Sequence, residues 1–491
     1  MLLLELDRDS PTPAYIQIRD LIVALVDDGT LRSGDRLPPT RELAASVGVH
    51  RSTVIRAYDE IRALGCLESR PGSYSTVRRR VRPPATGGSS ITEEQLVEWN
   101  AIGSDLIDDM DGPDRPRSAS RGDDNAIDFE RLSADPSLAP TDDLRRCLKH
   151  VLANLGSDSL DYADPSGWRP LRETISRRLR SHGVAVSAAE ILITSGAQQA
   201  LDIVLRLLTR PGDRALVEAP TYGMLHPLLR LHGVAPVEIP IRENGLDLDA
   251  LEDFLNVSSA KLVYTMPNFH NPTGITTGQA HRERLLTLCE QHRIPLVEDG
   301  FEEEMKYFGR AVLPIKSMDR HGLVLYVGSF SKVVFPGLRI GWVAATREAT
   351  DRLTAIQHAS SLAANTLAQA AAERFCRRGE FEAYLRRIHR VYRRRMQTML
   401  DALERHMPST VRWTRPVGGY TLWLTLSDPV DTEATICREV GRAGVRVAPG
   451  RWFFAKPPEN AHLRLSIACV DETRIEEGCR RLGEVLRDTQ T

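Results

Sequence analysis

The chain has 491 residues, which is enough for two or three domains at a typical size of about 150 residues each. Its 64 basic and 66 acidic side chains nearly balance and no apolar run reaches 18 residues, so we expect no membrane span and no overall charge bias towards nucleic acid. The seven cysteines are scattered without metal-ligand spacing, and the first residues lack the pattern of a secretory signal, which favours a cytoplasmic protein without a metal site.

Residues 1–77 predict a small helical unit. Pro13 can open a first helix with an apolar face, and Gly29 can end it. A short helix over Leu37–Ala44 and a Gly-containing turn follow, and a further helix is expected from Arg51 to about Leu64. Polar and basic residues stand at the start of this last helix, which is the layout that places a helix in the major groove of DNA.

A two-stranded wing with a basic tip is predicted over residues 66–77. From Arg32 to Arg82 the chain has 11 arginines against five acidic residues, a local excess that suits backbone phosphates. The order of these features resembles the winged helix-turn-helix of GntR-type regulators over roughly residues 10–77, although Pro39 and His50 replace the usual Ser and Ser/Thr. The resemblance implies double-stranded operator DNA as a partner, with contacts from Arg41, His50, Arg51, Ser52, Thr53, Arg70 and Gly72.

Residues 78–126 have a different composition. They begin with arginines and prolines, continue through Gly87–Ser90, and end in an acidic run that contains Pro and Ser. Such a segment cannot bury enough apolar surface to fold alone, so we predict a flexible linker between the N-terminal unit and a domain over residues 127–491.

Lys332 is the most informative residue of the large domain. The strand-like segment Leu323–Val327 ends just before the sequence Ser329-Phe330-Ser331-Lys332, and Arg339 follows seven residues later. A lysine amine can form a Schiff base with an aldehyde, and hydroxyls and a guanidinium can hold a phosphate, which are the needs of pyridoxal 5'-phosphate (PLP). The chain has only six lysines against 58 arginines, which makes this lysine notable. The residues alone also allow a surface lysine in a loop.

Other candidate residues stand at predicted strand ends, in a domain whose strands alternate with helices as in an α/β fold with a mainly parallel sheet. The strand Ile191–Thr194 leads into the small residues 195–197 at the start of a helix, where backbone N–H groups can bind a phosphate. Asp299 ends another strand and could keep a pyridine nitrogen protonated. Arg464 lies in a strand and suits a carboxylate. Taken singly, close packing or an ordinary ion pair would explain each of them.

Tyr222 could stack on a flat ring, and Asn271 could bond a phenolic oxygen. In this order the pieces resemble fold-type I aminotransferases of class I over about residues 127–488. The resemblance implies a large α/β domain of the PLP-dependent transferase fold type I, with Lys332 as the Schiff-base lysine and Asp299 as partner of the pyridinium. It also implies Asn271 on the ring oxygen, Tyr222 on the ring, Ser195, Gly196, Ala197, Ser329, Ser331 and Arg339 around the phosphate, and Tyr162 reaching the phosphate across a dimer interface.

One position departs from the aminotransferase pattern. That family carries a tyrosine two or three residues after the aspartate, where it bonds the ring oxygen, and this chain has Phe301 and Glu302 there. A phenylalanine cannot donate a hydrogen bond, so we expect at most residual transamination.

The combination of winged helix, linker and aminotransferase-like domain resembles the MocR/GabR subfamily of GntR regulators. The resemblance implies a PLP-dependent transcription regulator that senses an amine or amino acid at Lys332, with Arg464 holding the carboxylate. It also implies a head-to-tail homodimer. Two alternatives remain open: an aminotransferase with an appended DNA-binding unit, and a regulator that senses PLP itself.

Overall fold

The computed structural model describes residues 4–69, 74–78, 125–156, 164–309 and 312–488. The chain forms two compact units, Met1–Glu98 and Trp99–Thr491, which are described separately. Most of the predicted linker lies outside the described residues. No helix in the described ranges is long and apolar enough to cross a membrane.

Within its described residues, 4–69 and 74–78, the N-terminal unit has three helices and a two-stranded wing, as the sequence predicts. Its elements are α1 (Ala14–Asp27), α2 (Thr40–Val47), α3 (Arg51–Ala63), β1 (Leu67–Ser69) and β2 (Ser75–Val77). The two strands pair antiparallel. Ile18 and Ile22 of α1 pack against Val54 and Ile61 of α3 in one apolar core, because each helix repeats its apolar residues at a spacing of three or four.

The large unit is built on an eight-stranded sheet. Its strands are β4 (Ile191–Thr194), β5 (Arg214–Ala219), β6 (Ala235–Arg242), β7 (Gly245–Leu246), β8 (Leu262–Thr265), β9 (Leu296–Asp299), β10 (Val324–Ser329) and β11 (Gly341–Ala344). They lie in the order β4-β11-β10-β9-β8-β5-β6-β7, and the central run from β10 to β6 is parallel. The central strands β8, β9 and β10 are buried along their whole length, which is typical of a parallel sheet covered on both faces.

Helices surround this sheet, and the large unit also has a smaller layer of strands. The helices are α4 (Thr141–Leu155), α5 (Arg169–Ser181), α6 (Ala197–Leu208), α7 (Leu225–Leu231), α8 (Leu248–Val257), α9 (Gln279–Gln291), α10 (Arg347–Ser361), α11 (Thr366–Arg377), α12 (Glu380–His406), α13 (Glu433–Arg442) and α14 (Glu472–Asp488). The smaller layer pairs β12 (Arg412–Trp413), β13 (Thr421–Pro429), β16 (Asn460–Ser466) and β15 (Ala448–Pro449) antiparallel, while β3 (Ile127–Asp128) pairs in parallel with β14 (Val445–Arg446). Asp299 at the end of β9, Ser329 at the end of β10 and Arg464 of β16 line the same cavity.

Candidate functional site

A cavity of about 390 Å³ lies at the carboxyl ends of β9 and β10. Ligands bind at this edge in parallel α/β sheets, because the loops that follow the strands converge there. Nine of the binding residues predicted from the sequence line the cavity: Ala197, Tyr222, Asn271, Asp299, Ser329, Ser331, Lys332, Arg339 and Arg464. Tyr162 lies outside the described residues.

Lys332 follows β10 and is partly exposed to the cavity. Its Nζ donates a hydrogen bond to the backbone carbonyl of Leu132. Burial lowers the pKa of Lys332 to about 8, although the nearby Glu302 carboxyl opposes the shift. A lysine with this pKa holds more neutral amine at neutral pH than a surface lysine does, as a nucleophile requires.

Asp299 ends β9 and is 3% exposed. Its Oδ2 accepts a hydrogen bond of 2.8 Å from the hydroxyl of Tyr264, and its Oδ1 has no partner among the described residues. Burial raises the pKa of Asp299 to about 6, against the hydrogen bonds from Tyr264 and from the backbone N–H of Phe301. The carboxylate is thus mostly ionised at neutral pH and keeps one oxygen for a cationic N–H.

Arg339 lies against the small-residue turn that opens α6. Its Nη2 donates to the carbonyl of Ser195 at 2.6 Å, and a Cβ on Gly196 would lie 2.8 Å from the same Nη2, so a side chain there would displace the guanidinium from this position. Gly196 also has a φ of +88°, which other residues rarely adopt. The Oγ of Ser331 is buried and has no partner within the described ranges. A guanidinium, an unpaired hydroxyl and a helix N-terminus together suit a phosphate.

Arg464 projects from β16 and is 7% exposed. It donates to Asn271 Oδ1 at 3.4 Å and to the backbone carbonyl of Glu130, and its guanidinium lies over the ring of Phe453 at 5.3 Å. Burial lowers the pKa of Arg464 to about 10, so the group remains charged at neutral pH. A buried guanidinium beside the cavity fits a carboxylate.

Aromatic residues form much of the remaining wall. Tyr222 lines the cavity, and its hydroxyl donates to Gln198 Oε1 at 3.1 Å. Phe301, 8% exposed, also lines the cavity and carries no donor. Trp452 and Phe453 complete this side.

Sequence reasoning missed several of these residues. Four residues were not predicted: Gln198, Trp452, Phe453 and Tyr264. The fold brings them to the cavity or to the residues that line it, and no sequence motif marks them. Tyr264 could have been suspected from its strand, since β8 pairs directly with the strand that ends in Asp299.

The donor set fits PLP. The Oδ1 of Asp299 and the Oγ of Ser331 are buried atoms without partners among the described residues, and they suit the pyridinium N–H and the phosphate respectively. Lys332 lines the same cavity.

Most of the predicted DNA contacts that the structure describes lie at the start of α3. Arg51 and Ser52 are exposed there, and Arg41 is exposed on α2. His50 caps α3, since its Nδ1 accepts from the Ser52 backbone N–H at 3.3 Å. Thr53 is half-buried at the same helix end, and Arg70 and Gly72 lie outside the described residues.

Comparisons with known proteins cover both units. The model of bacterial regulatory proteins of the gntR family matches residues 14–77, and that of aminotransferases of class I and II matches residues 133–482. The uncharacterised HTH-type transcriptional regulator YdcR of Escherichia coli is 32% identical over 96% of this chain and 99% of its own length. The aromatic-amino-acid aminotransferase 1 of Thermococcus litoralis is 36% identical over 72% of this chain and 86% of its own length.

Among solved structures, the multiple substrate aminotransferase of Thermococcus profundus superposes with a TM-score of 0.74 at 31% identity, covering 80% of this chain and 99% of that chain. The probable rhizopine catabolism regulatory protein MocR of Rhizobium meliloti is 30% identical over 98% of this chain and 95% of its own length. The match therefore extends through the DNA-binding unit and the PLP-binding domain alike. This chain belongs to the gntR family of bacterial regulators, in the MocR/GabR subfamily that joins a winged helix-turn-helix to a PLP-dependent domain of the aminotransferase class I and II family.

Proposed function

We propose that this regulator senses a small amine or amino acid through PLP held at Lys332, and that the ligand changes how the winged helix engages its operator. The observation that carries the proposal is that Lys332, Asp299, Arg339 and Arg464 line one cavity. The same chain has a DNA-binding unit. When bound, PLP supplies an electrophilic carbon that can be held by a lysine or by another primary amine.

Each residue of the cavity has a separate role in holding the cofactor or the ligand. Lys332 holds the cofactor until an amine replaces it, and the lowered pKa of Lys332 favours such exchange near neutral pH. Asp299 maintains the positive charge of the ring nitrogen, and Arg339 holds the phosphate. Arg464 gives preference to amines that carry a carboxylate, because its charge is desolvated.

The cavity wall favours an amino acid with an apolar or aromatic side chain. Met224, Met266, Trp452 and Phe453 line it, while Glu130 would repel a second carboxylate on the ligand. The 36% identity with a protein named aromatic-amino-acid aminotransferase 1 supports the same class. We therefore expect phenylalanine or leucine to bind better than aspartate.

The test is a screen of amines and amino acids against the PLP-loaded protein, following the visible absorbance of the lysine-bound cofactor and repeating active hits with operator DNA. An amino acid that shifts the absorbance and changes DNA affinity, without producing keto acid, is the expected result. If DNA affinity changes on adding PLP alone and no amine alters it further, PLP itself is the signal. If none of these additions changes DNA affinity, sensing by this site is refuted.

A second candidate function is transamination, favoured by the aminotransferase relatives and by the presence of Lys332, Asp299 and Arg464. Repeated turnover with an amino acid and a keto-acid acceptor would support it. Phe301 argues against efficient turnover, since its ring cannot donate to the cofactor where the enzymes have a tyrosine.

We also propose a head-to-tail homodimer with domain bounds at 1–77, 78–126 and 127–491. The support is the likeness to the subfamily and the position of Tyr162, which matches a residue that crosses the dimer interface in the aminotransferase pattern. A segment of about 50 residues between the two domains would let two heads bind separated half-sites. Sedimentation of the full chain at micromolar concentration tests the dimer, and a monomer that still binds its operator would refute it.

A further inference from the structure

Helix α12 (Glu380–His406) carries a run of positive charge on its exposed side. Between Glu382 and Asp401 the chain has six arginines and no acidic residue. One of them, Arg395, is buried and pairs with Asp135 at 2.8 Å, so it is not part of the surface. The other five are exposed: Arg386, Arg387, Arg390, Arg393 and Arg394.

The helical repeat places these five arginines on one side of the helix, which we call the basic face of α12. At about 100° per residue they fall within an arc of roughly 120°, and the rise of about 1.5 Å per residue spreads them over about 12 Å. A DNA duplex carries a phosphate about every 1.7 Å along its axis, so roughly seven phosphates span that length. The basic face therefore matches a short stretch of duplex backbone in length.

Acidic neighbours leave most of this charge without a partner. Arg394 pairs with Glu472 of α14 at 3.3 Å. Arg386 and Arg390 have no side-chain hydrogen bond or ion pair with any residue that the structure describes. The acid one turn before them, Glu382, is already held by an arginine of α5 at 2.6 Å.

Exposed arginines on other helices of the large unit are neutralised locally. Arg347 pairs with Asp351 at 2.8 Å on α10, and Arg480 pairs with Glu484 at 2.6 Å on α14. Such pairs at a spacing of four residues stabilise a helix slightly, whereas like charges at that spacing destabilise it. Because α12 keeps the unfavourable arrangement, its exposed side is better explained by a negatively charged partner than by contact with water alone.

Aromatic rings hold two of the guanidinium groups of the basic face in place. Arg393 lies over the ring of Phe308 at 5.1 Å from its centre. Arg387 lies over the ring of Tyr384 at 5.5 Å, and its Nη2 donates to the carbonyl of Leu138 at 2.7 Å. A guanidinium that is already oriented loses less conformational entropy when it binds, and its remaining N–H donors suit phosphate oxygens.

We propose that the basic face of α12 is a second DNA-binding surface, which contacts the phosphate backbone without reading the base sequence. Charge complementarity supports duplex DNA as its occupant, and the same chain has a winged helix-turn-helix that raises the concentration of duplex DNA around the large unit. The winged helix still supplies the specificity, since phosphate contacts position a duplex and base contacts select it. This surface is separate from the cofactor cavity, and its role does not depend on amine sensing.

The test compares two pairs of substitutions in the PLP-loaded full-length protein. Arg386→Gln with Arg390→Gln removes two charges from the basic face. Arg347→Gln with Arg352→Gln, the matched control, removes two charges from exposed positions of α10 where each arginine has an acidic partner. Binding to a mixed-sequence duplex of about 40 base pairs, roughly four helical turns, is followed by fluorescence anisotropy over a range of salt concentrations.

The expected result is a change in the salt dependence of binding. The slope of the logarithm of the binding constant against the logarithm of salt concentration should become shallower by about two units in the α12 variant, about 0.9 for each lost phosphate contact. At about 0.1 M salt the same loss should weaken binding about ten- to hundredfold. The α10 control should keep the wild-type slope, and Arg386→Lys with Arg390→Lys, which retains the charges, should restore most of it.

Two outcomes of the DNA titration would overturn the proposal. An unchanged slope in the α12 variant would assign all phosphate contacts to the winged helix, and an equal change in the α10 control would mean that net charge alone matters. Vesicles of phosphatidylglycerol test the competing anionic surface: vesicle binding that the α12 variant loses, with DNA binding unchanged, would assign the face to lipid. Thermal melting and the visible absorbance of bound PLP establish that each variant is folded.

Discussion

Replacing Tyr264 with phenylalanine tests how Asp299 is kept ionised. The two side chains are 1% and 3% exposed, and the hydroxyl donates to Oδ2 at 2.8 Å. A hydrogen bond to a charged group contributes about 1.5–3 kcal/mol, and one pKa unit corresponds to about 1.4 kcal/mol, so Tyr264→Phe should raise the pKa of Asp299 by about one to two units.

The direction of the pH effect follows from that shift. The wild-type pKa of about 6 leaves Asp299 largely ionised at pH 7, whereas a pKa between about 7 and 8 leaves it half protonated or more. PLP affinity at pH 7 should then fall by about two- to tenfold, because the protonated acid no longer opposes the charge of the pyridinium. This loss of PLP affinity should grow as the pH falls. It should disappear above about pH 9, where Asp299 is ionised in both the wild type and the variant.

The assay is a fluorescence titration of PLP against the wild type and the variant from pH 6 to pH 9. Tyr326→Phe serves as a control, because Tyr326 is also 1% exposed and lies on the adjacent strand β10. A ratio of affinities that stays constant with pH would refute the reasoning, since it would mean that the lost hydroxyl acts through packing and not through the ionisation of Asp299.

Other substitutions test the remaining roles. Lys332→Ala should abolish the cofactor label that borohydride fixes in the wild type, and a label that survives would exclude Lys332 as the covalent site. Arg51→Ala should weaken operator binding by about 1–3 kcal/mol if it reads a base, measured at moderate salt, while Arg62→Ala at the other end of α3 should change it little. Arg464→Ala should remove the preference for amino acids over the amines that lack a carboxylate, measured as the ratio of their binding constants. Phe301→Tyr should increase keto-acid formation from a bound amino acid, and an unchanged rate would show that the missing hydroxyl is not what limits turnover.

The sequence predicted the elements that bear strong local signals. The strand at Ile191–Thr194 was predicted at its observed bounds, and the helix from Arg51 ends one residue before the predicted Leu64. Both have clear periodicity and boundary residues, so local physics decides them. The order of the sheet could not be derived in this way, because strands such as β11 and β4 are far apart in the chain and only the fold pairs them.

The residues of the candidate site also differ in whether local sequence signals predict them. Lys332, Asp299 and Arg339 follow strands or turns whose chemistry is visible in the sequence, and the structure brings them into one cavity. Tyr264 and Trp452 were missed because neither a buried tyrosine nor a tryptophan in a short 3-10 helix carries a local sign of its neighbours. Their contribution depends on register and on loop packing, which composition and spacing do not encode.

Phe301 is the position at which this site departs from the aminotransferase pattern. Phe301 lines the cavity without a donor for the ring oxygen, so the site lacks a group that aminotransferases use to tune the cofactor. A catalyst needs that tuning in every cycle, whereas a sensor needs only that its lysine be displaced reversibly. The missing donor at Phe301 therefore favours a site that binds its amine reversibly and reports its presence.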